Sequence, residues 1–171
     1  YKPVKLFSGL IPPTSYNFKA KNEETFKHFK DYKEGLTYAK EHNMPVLIDF
    51  TGFGCVNCRK IEDNVWSDEK VTELLKDYVV ISLYVDDRKA LPENEWYTSN
   101  ATGQEREVKT VGQKWSDFQA KYFKTNSQPQ YILINTKEQL LNQPVAYDFS
   151  KSKENYISFL ECGLKMNEQL K

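Results

Sequence analysis

The chain has 171 residues, enough for one domain around a single sizeable core, and its 24 Lys and Arg balance 24 Asp and Glu. That balance excludes a basic footprint for nucleic acid, while an apolar content of 39%, with 10 Phe, 11 Tyr and 3 Trp, excludes wholesale disorder. No apolar run approaches the roughly 20 residues of a membrane-spanning helix.

Residues 1–22 carry Pro3, Pro12 and Pro13 without a regular period, and read as an extended lead-in to a domain over 23–171. The chain opens on Tyr1 rather than Met and shows no signal-peptide pattern, which fits a processed form or an excised domain. Residues 25–29 read as a short edge strand. Asp31 and Glu34 form a capping box for a helix that ends near His42, where Asn43 and Pro45 stop it. Val46, Leu47, Ile48, Asp49 and Phe50 form an apolar run with one acid inside, the pattern of a central strand covered on both faces. A turn with Gly52 and Gly54 follows. Cys55-Val56-Asn57-Cys58 then opens a helix that carries Ile61 and Val65. Ser67 reads as a fresh N-cap. Val71, Leu74, Leu75 and Tyr78 share one helical face, so a break or kink is expected near Trp66.

Residues 79–85 make the third strand. Residues 86–112 are polar and irregular, an insert with a turn at Asn100 to Gly103. Trp115, Phe118 and Tyr122 mark a helix, with Trp66 and Trp115 expected in the core. Residues 131–135 and 145–149 read as two more strands, and Tyr156, Ile157, Leu160 and Leu164 as a final helix. The order is β-α-β-α-β-(insert)-α-β-β-α, an α/β arrangement.

The three cysteines are too few for a disulfide-stapled scaffold. A CxxC motif is either half of a zinc site or a redox dithiol. Zinc in a structural site needs four ligands, and the remaining candidates, Cys162, His28 and His42, form no second knuckle. The redox reading has positive support. A helix N-terminus carries partial positive charge and free amides, which stabilise a thiolate. Cys55, at that terminus, is expected exposed and nucleophilic; Cys58, one turn inward, is expected shielded and resolving. A static disulfide is the weaker alternative, because so short a loop constrains the unfolded chain little. No metal and no cofactor beyond the disulfide is expected.

Asp49 lies six residues before Cys55 in an apolar strand. A buried acid is costly without a task or a partner. Burial raises its pKa, which suits it to take the proton of Cys58; capping a turn or pairing with a lysine is the plainer alternative. Pro129 stands at a strand entry, where proline is tolerated generally. Cys162 reads as a small buried hydrophobe. Asn100-Ala101-Thr102 matches a glycosylation sequon, a motif frequent by chance.

CxxC at a helix start, an Asp six residues before it and a Pro heading a later strand together resemble the thioredoxin superfamily. The resemblance implies a central mixed β-sheet flanked by helices, with the insert placed between the third strand and the following helix. It implies that Pro129 is cis beside the dithiol and that Gln128 pairs with an extended substrate, a form of strand addition. Residues 49–59, with Val65 to Asp68, Leu83 to Asp87 and Lys114 to Phe118, further resemble the C-terminal domain of bacterial thiol:disulfide interchange proteins of the DsbD type, in the Bacteroidetes form. This implies a monomeric periplasmic domain that takes electrons from a membrane-embedded donor domain and passes them to disulfide-containing proteins. Phe53 and Gly54 then line the substrate site. Departures are Gly54, where thioredoxins have Trp, the Val-Asn dipeptide and the long insert. Three functions compete: a reductive relay, a disulfide oxidase or isomerase, and a non-redox binding module.

Overall fold

The computed structural model describes residues 26–171. The lead-in over 1–22, and Thr25 of the first strand, lie outside the described residues. A five-stranded sheet has the order β1-β3-β2-β6-β7. Its strands are β1 (Lys27–Phe29), β2 (Val46–Thr51), β3 (Val79–Tyr84), β6 (Gln130–Ile134) and β7 (Val145–Ala146). β1 and β2 run parallel to β3 on either side of it, whereas β6 is antiparallel to β2 and β7 to β6. This is the thioredoxin fold with its mixed central sheet, as the resemblance implies.

Side chains alternate across the sheet. On one face Leu47, Val80, Tyr131 and Leu133 pack with Ile61, Val65 and Trp66, under α3 (Glu69–Leu75) and α6 (Lys153–Gln169). On the other, Ile48, Phe50, Ile81, Leu83 and Ile132 pack against α1 (Tyr32–His42) and α4 (Val111–Phe123), whose Leu36 and Trp115 are buried there. Both faces of β2 are therefore covered, which is why its run is nearly continuous in apolar residues.

Helix starts follow local chemistry. The Asp31 side chain accepts from Glu34 N, and Thr110 with Gln113 completes a full capping box on α4. The expected kink is a π-helical turn, Glu62–Trp66, between α2 (Val56–Ile61) and α3. Asp68, not Ser67, caps α3: its carboxylate accepts from Lys70 N and Val71 N, while Ser67 Oγ donates back to the Asp63 carbonyl. The strand expected over 145–149 is only two residues long; Tyr147–Ser150 is a short helix, α5. The insert is not irregular. It contains a 3₁₀ turn (Glu93–Glu95) and a hairpin of β4 (Tyr97–Ser99) with β5 (Arg106–Val108), closed through the turn in which Gly103 N donates to the Asn100 carbonyl. Gly112, at the start of α4, approaches the backbone of Val85 and Asp87 so closely that a Cβ would fall 2.6 Å from the Val85 oxygen.

Candidate active site

β2 ends at Thr51, and the chain turns through Gly52 to Gly54 into α2. Two backbone amides of this turn, Phe53 N and Gly54 N, donate to the two oxygens of Asp86 at 2.8 and 2.9 Å. Asp86 follows β3, the neighbouring strand, so the turn is clamped to the sheet. Gly52 lies against that carboxylate, where a Cβ would meet it at 3.1 Å.

Cys55 is the N-cap of α2, and its Sγ accepts from Cys58 N at 3.2 Å. Cys55 and Cys58 are joined by a disulfide. Cys55 is partly exposed and Cys58 is 1% exposed, the asymmetry expected from their positions on the helix. Around Cys55 the surface is apolar: Val56 is 46% exposed and Phe53 39%, with the Phe53 ring stacked on Tyr84 at 4.1 Å. The Gln128–Pro129 bond is cis. Pro129 is buried, and the Gln128 side chain donates to Gln119 Oε1.

Asp49 is 2% exposed, on the sheet face that α2 covers. Oδ2 accepts from Ser82 at 2.9 Å, and the buried Oδ1 has no hydrogen-bond partner. Burial pushes its pKa up to about 7, against the opposing pull of Ser82 and the Arg59 charge. A carboxyl of this kind holds or releases a proton near neutrality.

Two further residues interact with Asp49 electrostatically. Glu62, in the π turn, is buried, and burial raises its pKa to about 8, with Arg59 opposing and Asp49 adding to the rise. Arg59 is turned inward, although a cation on a helix usually faces water. Its Nη2 donates to Thr51 Oγ1 at 2.9 Å and the Gly52 carbonyl at 3.1 Å, and pairs with Glu62 at 3.2 Å. The physical reason is the position: one turn into α2, the guanidinium finds free acceptors at the end of β2 and a carboxylate at i+3. Glu62 had one legible signal, its place on the Ile61–Val65 face of the helix. Ser82 had none, because its partners are distant in sequence, and Asp86 had only its place in the Leu83 to Asp87 segment.

Cys162 is exposed on α6, not buried. Tyr156, Phe159, Leu160 and Gly163 take the inward face of that helix and leave 162 outside it. Trp66 and Trp115 are core residues, Trp66 Nε1 donating to Tyr156 Oη at 2.9 Å. Among the described residues no group of three or more His, Cys, Asp or Glu is placed to hold a metal ion. Nor, among them, is any helix long and apolar enough to cross a membrane.

Fold and dithiol together define a class: a thioredoxin-fold domain with a CxxC disulfide at a helix start, the architecture of thiol–disulfide oxidoreductases. The thioredoxin-like family profile matches residues 27–111. The chain is similar to a thiol:disulfide interchange protein DsbD from Vibrio vulnificus (strain CMCP6), 26% identical over 94 residues, which are 50% of this chain and 16% of that much longer protein. In structure it resembles a DsbH oxidoreductase (TM-score 0.57, 17% identity, 82% of this chain and 85% of that one). It also resembles a thioredoxin from Thermus thermophilus (TM-score 0.56, 20% identity, 80% and 85%). At these identities the structural likenesses speak for the fold.

Proposed function

We propose that this chain is a protein-disulfide reductase, in which Cys55 attacks the substrate disulfide and Cys58 resolves the mixed disulfide. The observation that carries this reading is the buried Asp49, poised near neutral pH beneath a dithiol with one partly exposed and one buried sulfur. Cys55 thiolate attacks one substrate sulfur, and the other leaves as a thiolate. Asp49 takes the proton of Cys58, whose thiolate then attacks Cys55 Sγ. The Cys55–Cys58 bond forms and the second substrate thiolate leaves. Phe53, Gly54 and Val56 supply an apolar landing surface, and the backbone at Gln128 beside Pro129 pairs with an extended substrate segment. The likeness to DsbD supports a periplasmic setting, with electrons arriving from a membrane-embedded donor domain and passing to disulfide-containing proteins.

Cys58→Ser is expected to trap mixed disulfides through Cys55, and Cys55→Ser to trap none. Trapping through Cys58 in the Cys55 variant overturns the assignment, and a wild-type protein that reduces no disulfide overturns the reading as a whole. The inward Arg59 favours a second reading, an oxidase or isomerase, because a partly buried cation beside the dithiol stabilises the thiolate form.

A further inference from the structure

Three polar side chains form an unbroken line across neighbouring strands on the face that holds the dithiol helix. His28 on β1 lies 2.7 Å through Nε2 from Ser82 Oγ on β3, and Ser82 Oγ lies 2.9 Å from Asp49 Oδ2 on β2. The rest of that face is apolar, with Leu47, Val80, Tyr131 and Leu133. Ser82 is 2% exposed, whereas His28 is exposed on the edge strand of the sheet. The line thus runs from a buried carboxyl to the surface.

Ser82 has one proton and two partners, which couples them. With Asp49 ionised, Ser82 donates to Asp49 and must accept from His28, so His28 carries its proton on Nε2. With Asp49 protonated, Asp49 donates to Ser82, Ser82 donates to His28, and His28 carries its proton on Nδ1. We propose that Ser82 and His28 are positioning residues that form the proton outlet of Asp49. One proton moves from Asp49 to Ser82 as the Ser82 proton moves to Nε2 of His28, and the Nδ1 proton then passes to water. The sum is one proton from Asp49 to solvent, with no change in redox state.

The other charged or titratable groups facing Asp49 are Arg59 from α2, Glu62 from the π turn, Tyr84 from β3, Tyr131 from β6 and Tyr156 from α6. Lys30 acts on His28. Desolvation where the ring enters the sheet, and then Lys30, lower the His28 pKa to about 4. The ring is therefore neutral near pH 7, and a change of tautomer there reports on Asp49 rather than on its own ionisation.

The test follows the His28 ring nitrogens by ¹⁵N NMR in the oxidised protein through the titration of Asp49. A switch from the Nδ1–H to the Nε2–H form as pH rises, lost in Asp49→Asn, is expected. One tautomer throughout, or a switch that survives in Asp49→Asn, overturns the outlet. This measurement is independent of whether the protein reduces disulfides.

The kinetic arm does rest on the proposed reductase. At about pH 6, Asp49 starts protonated and must discharge before it can take the Cys58 proton. Single-turnover reduction of glutathione disulfide in dilute buffer is expected to slow at least about threefold in His28→Ala, and added imidazole is expected to restore it. An unchanged rate, or a loss that imidazole does not restore, overturns the outlet. A wild-type protein inert toward glutathione disulfide, and equally toward an insulin disulfide, overturns the reductase reading instead.

Discussion

Asp49 sets a pH dependence of stability whose sign follows from its environment. Burial raises its pKa to about 7 in the fold, against about 3.9 in an unfolded chain. Between those values the folded protein holds a proton that the unfolded chain has lost. The associated stability is present in full below about pH 4 and is lost as pH rises through about 7. Glu62, raised to about 8, acts in the same sense and extends the window upward. Asp49→Asn removes one of these buried acids. Its oxidised form is expected to be more stable than wild type at pH 8 by about 2 kcal/mol, inside an upper bound of about 4 set by about 1.4 kcal/mol per pH unit. The difference should shrink toward zero near pH 4. Urea unfolding at both pH values measures it, and an equal gain at both ends means that the effect is packing and not ionisation. The same variant should resolve mixed disulfides more slowly near neutral pH; unchanged turnover removes Asp49 from proton transfer.

At the scale of elements, the insert shows how far a sequence can be read and where reading stops. Its polarity marks it as an addition, but β4 and β5 bury little, so their alternation is faint. What holds the hairpin is remote: Tyr97 Oη donates to Asp117 of α4 at 2.9 Å, Ser99 donates to the same carboxylate, and Arg106 lies 4.0 Å from it. Those partners are 18 and 20 residues away for Ser99 and Tyr97, outside any local pattern. The insert leaves β3 beside Asp86, which clamps the turn before Cys55, so its root lies at the dithiol end of the sheet. Replacing residues 93–107 by a short Gly/Ser linker spares Asp86 and Gly112. It is expected to alter rates with protein disulfides while leaving reduction of a small dye-conjugated disulfide within about twofold, a tolerance consistent with the thermodynamic leniency of surface loops. Equal losses on both would make the hairpin a structural brace.

The strands and helices around the dithiol were plain in the sequence because each has a local cause: the apolar run of β2, the Asp31 cap before α1, the CxxC at the start of α2. Errors arose where two local causes competed. Ser67 and Asp68 both cap helices, and the longer reach of the carboxylate to two amides decides for Asp68. Val145 to Phe149 alternates like a strand, but Gln130 and Tyr131 offer partners only to Ala146 and Val145. Beyond them the chain is free to turn into α5. The inward turn of Arg59 has no cause in the local pattern. A cation on a helix usually faces water, and only the fold shows that the end of β2 presents it with acceptors.

The whole molecule bears most directly on the direction of electron flow, since the sheet, α2 and the π turn jointly fix the charge beneath the dithiol. Cys55 Sγ gains from the Cys58 amide and the helix start, and the inward Arg59 adds to this. Against it stand two buried acids. Glu62 pairs with Arg59, and as pH rises through about 7 and then about 8 Asp49 and Glu62 become charged in turn. Above about pH 8 both acids are charged and outnumber the single Arg59 cation, so the field beneath the dithiol there opposes the thiolate. The expected potential lies nearer the thioredoxin value of about −270 mV than the DsbA value of about −120 mV. The pair of residues gives opposite, checkable signs. Glu62→Gln leaves Arg59 without its anionic partner, favours the thiolate and should make the potential more positive, by up to about 30 mV for a tenfold change in the exchange constant. Arg59→Leu leaves the acids unopposed and should make it more negative. Equilibration with glutathione buffers at pH 8, with each potential referred to pH 7 through the glutathione couple, measures all three proteins. A wild-type value more positive than about −180 mV would instead favour the oxidase or isomerase, and shifts of the same sign in both variants would show that packing, not charge, sets the potential.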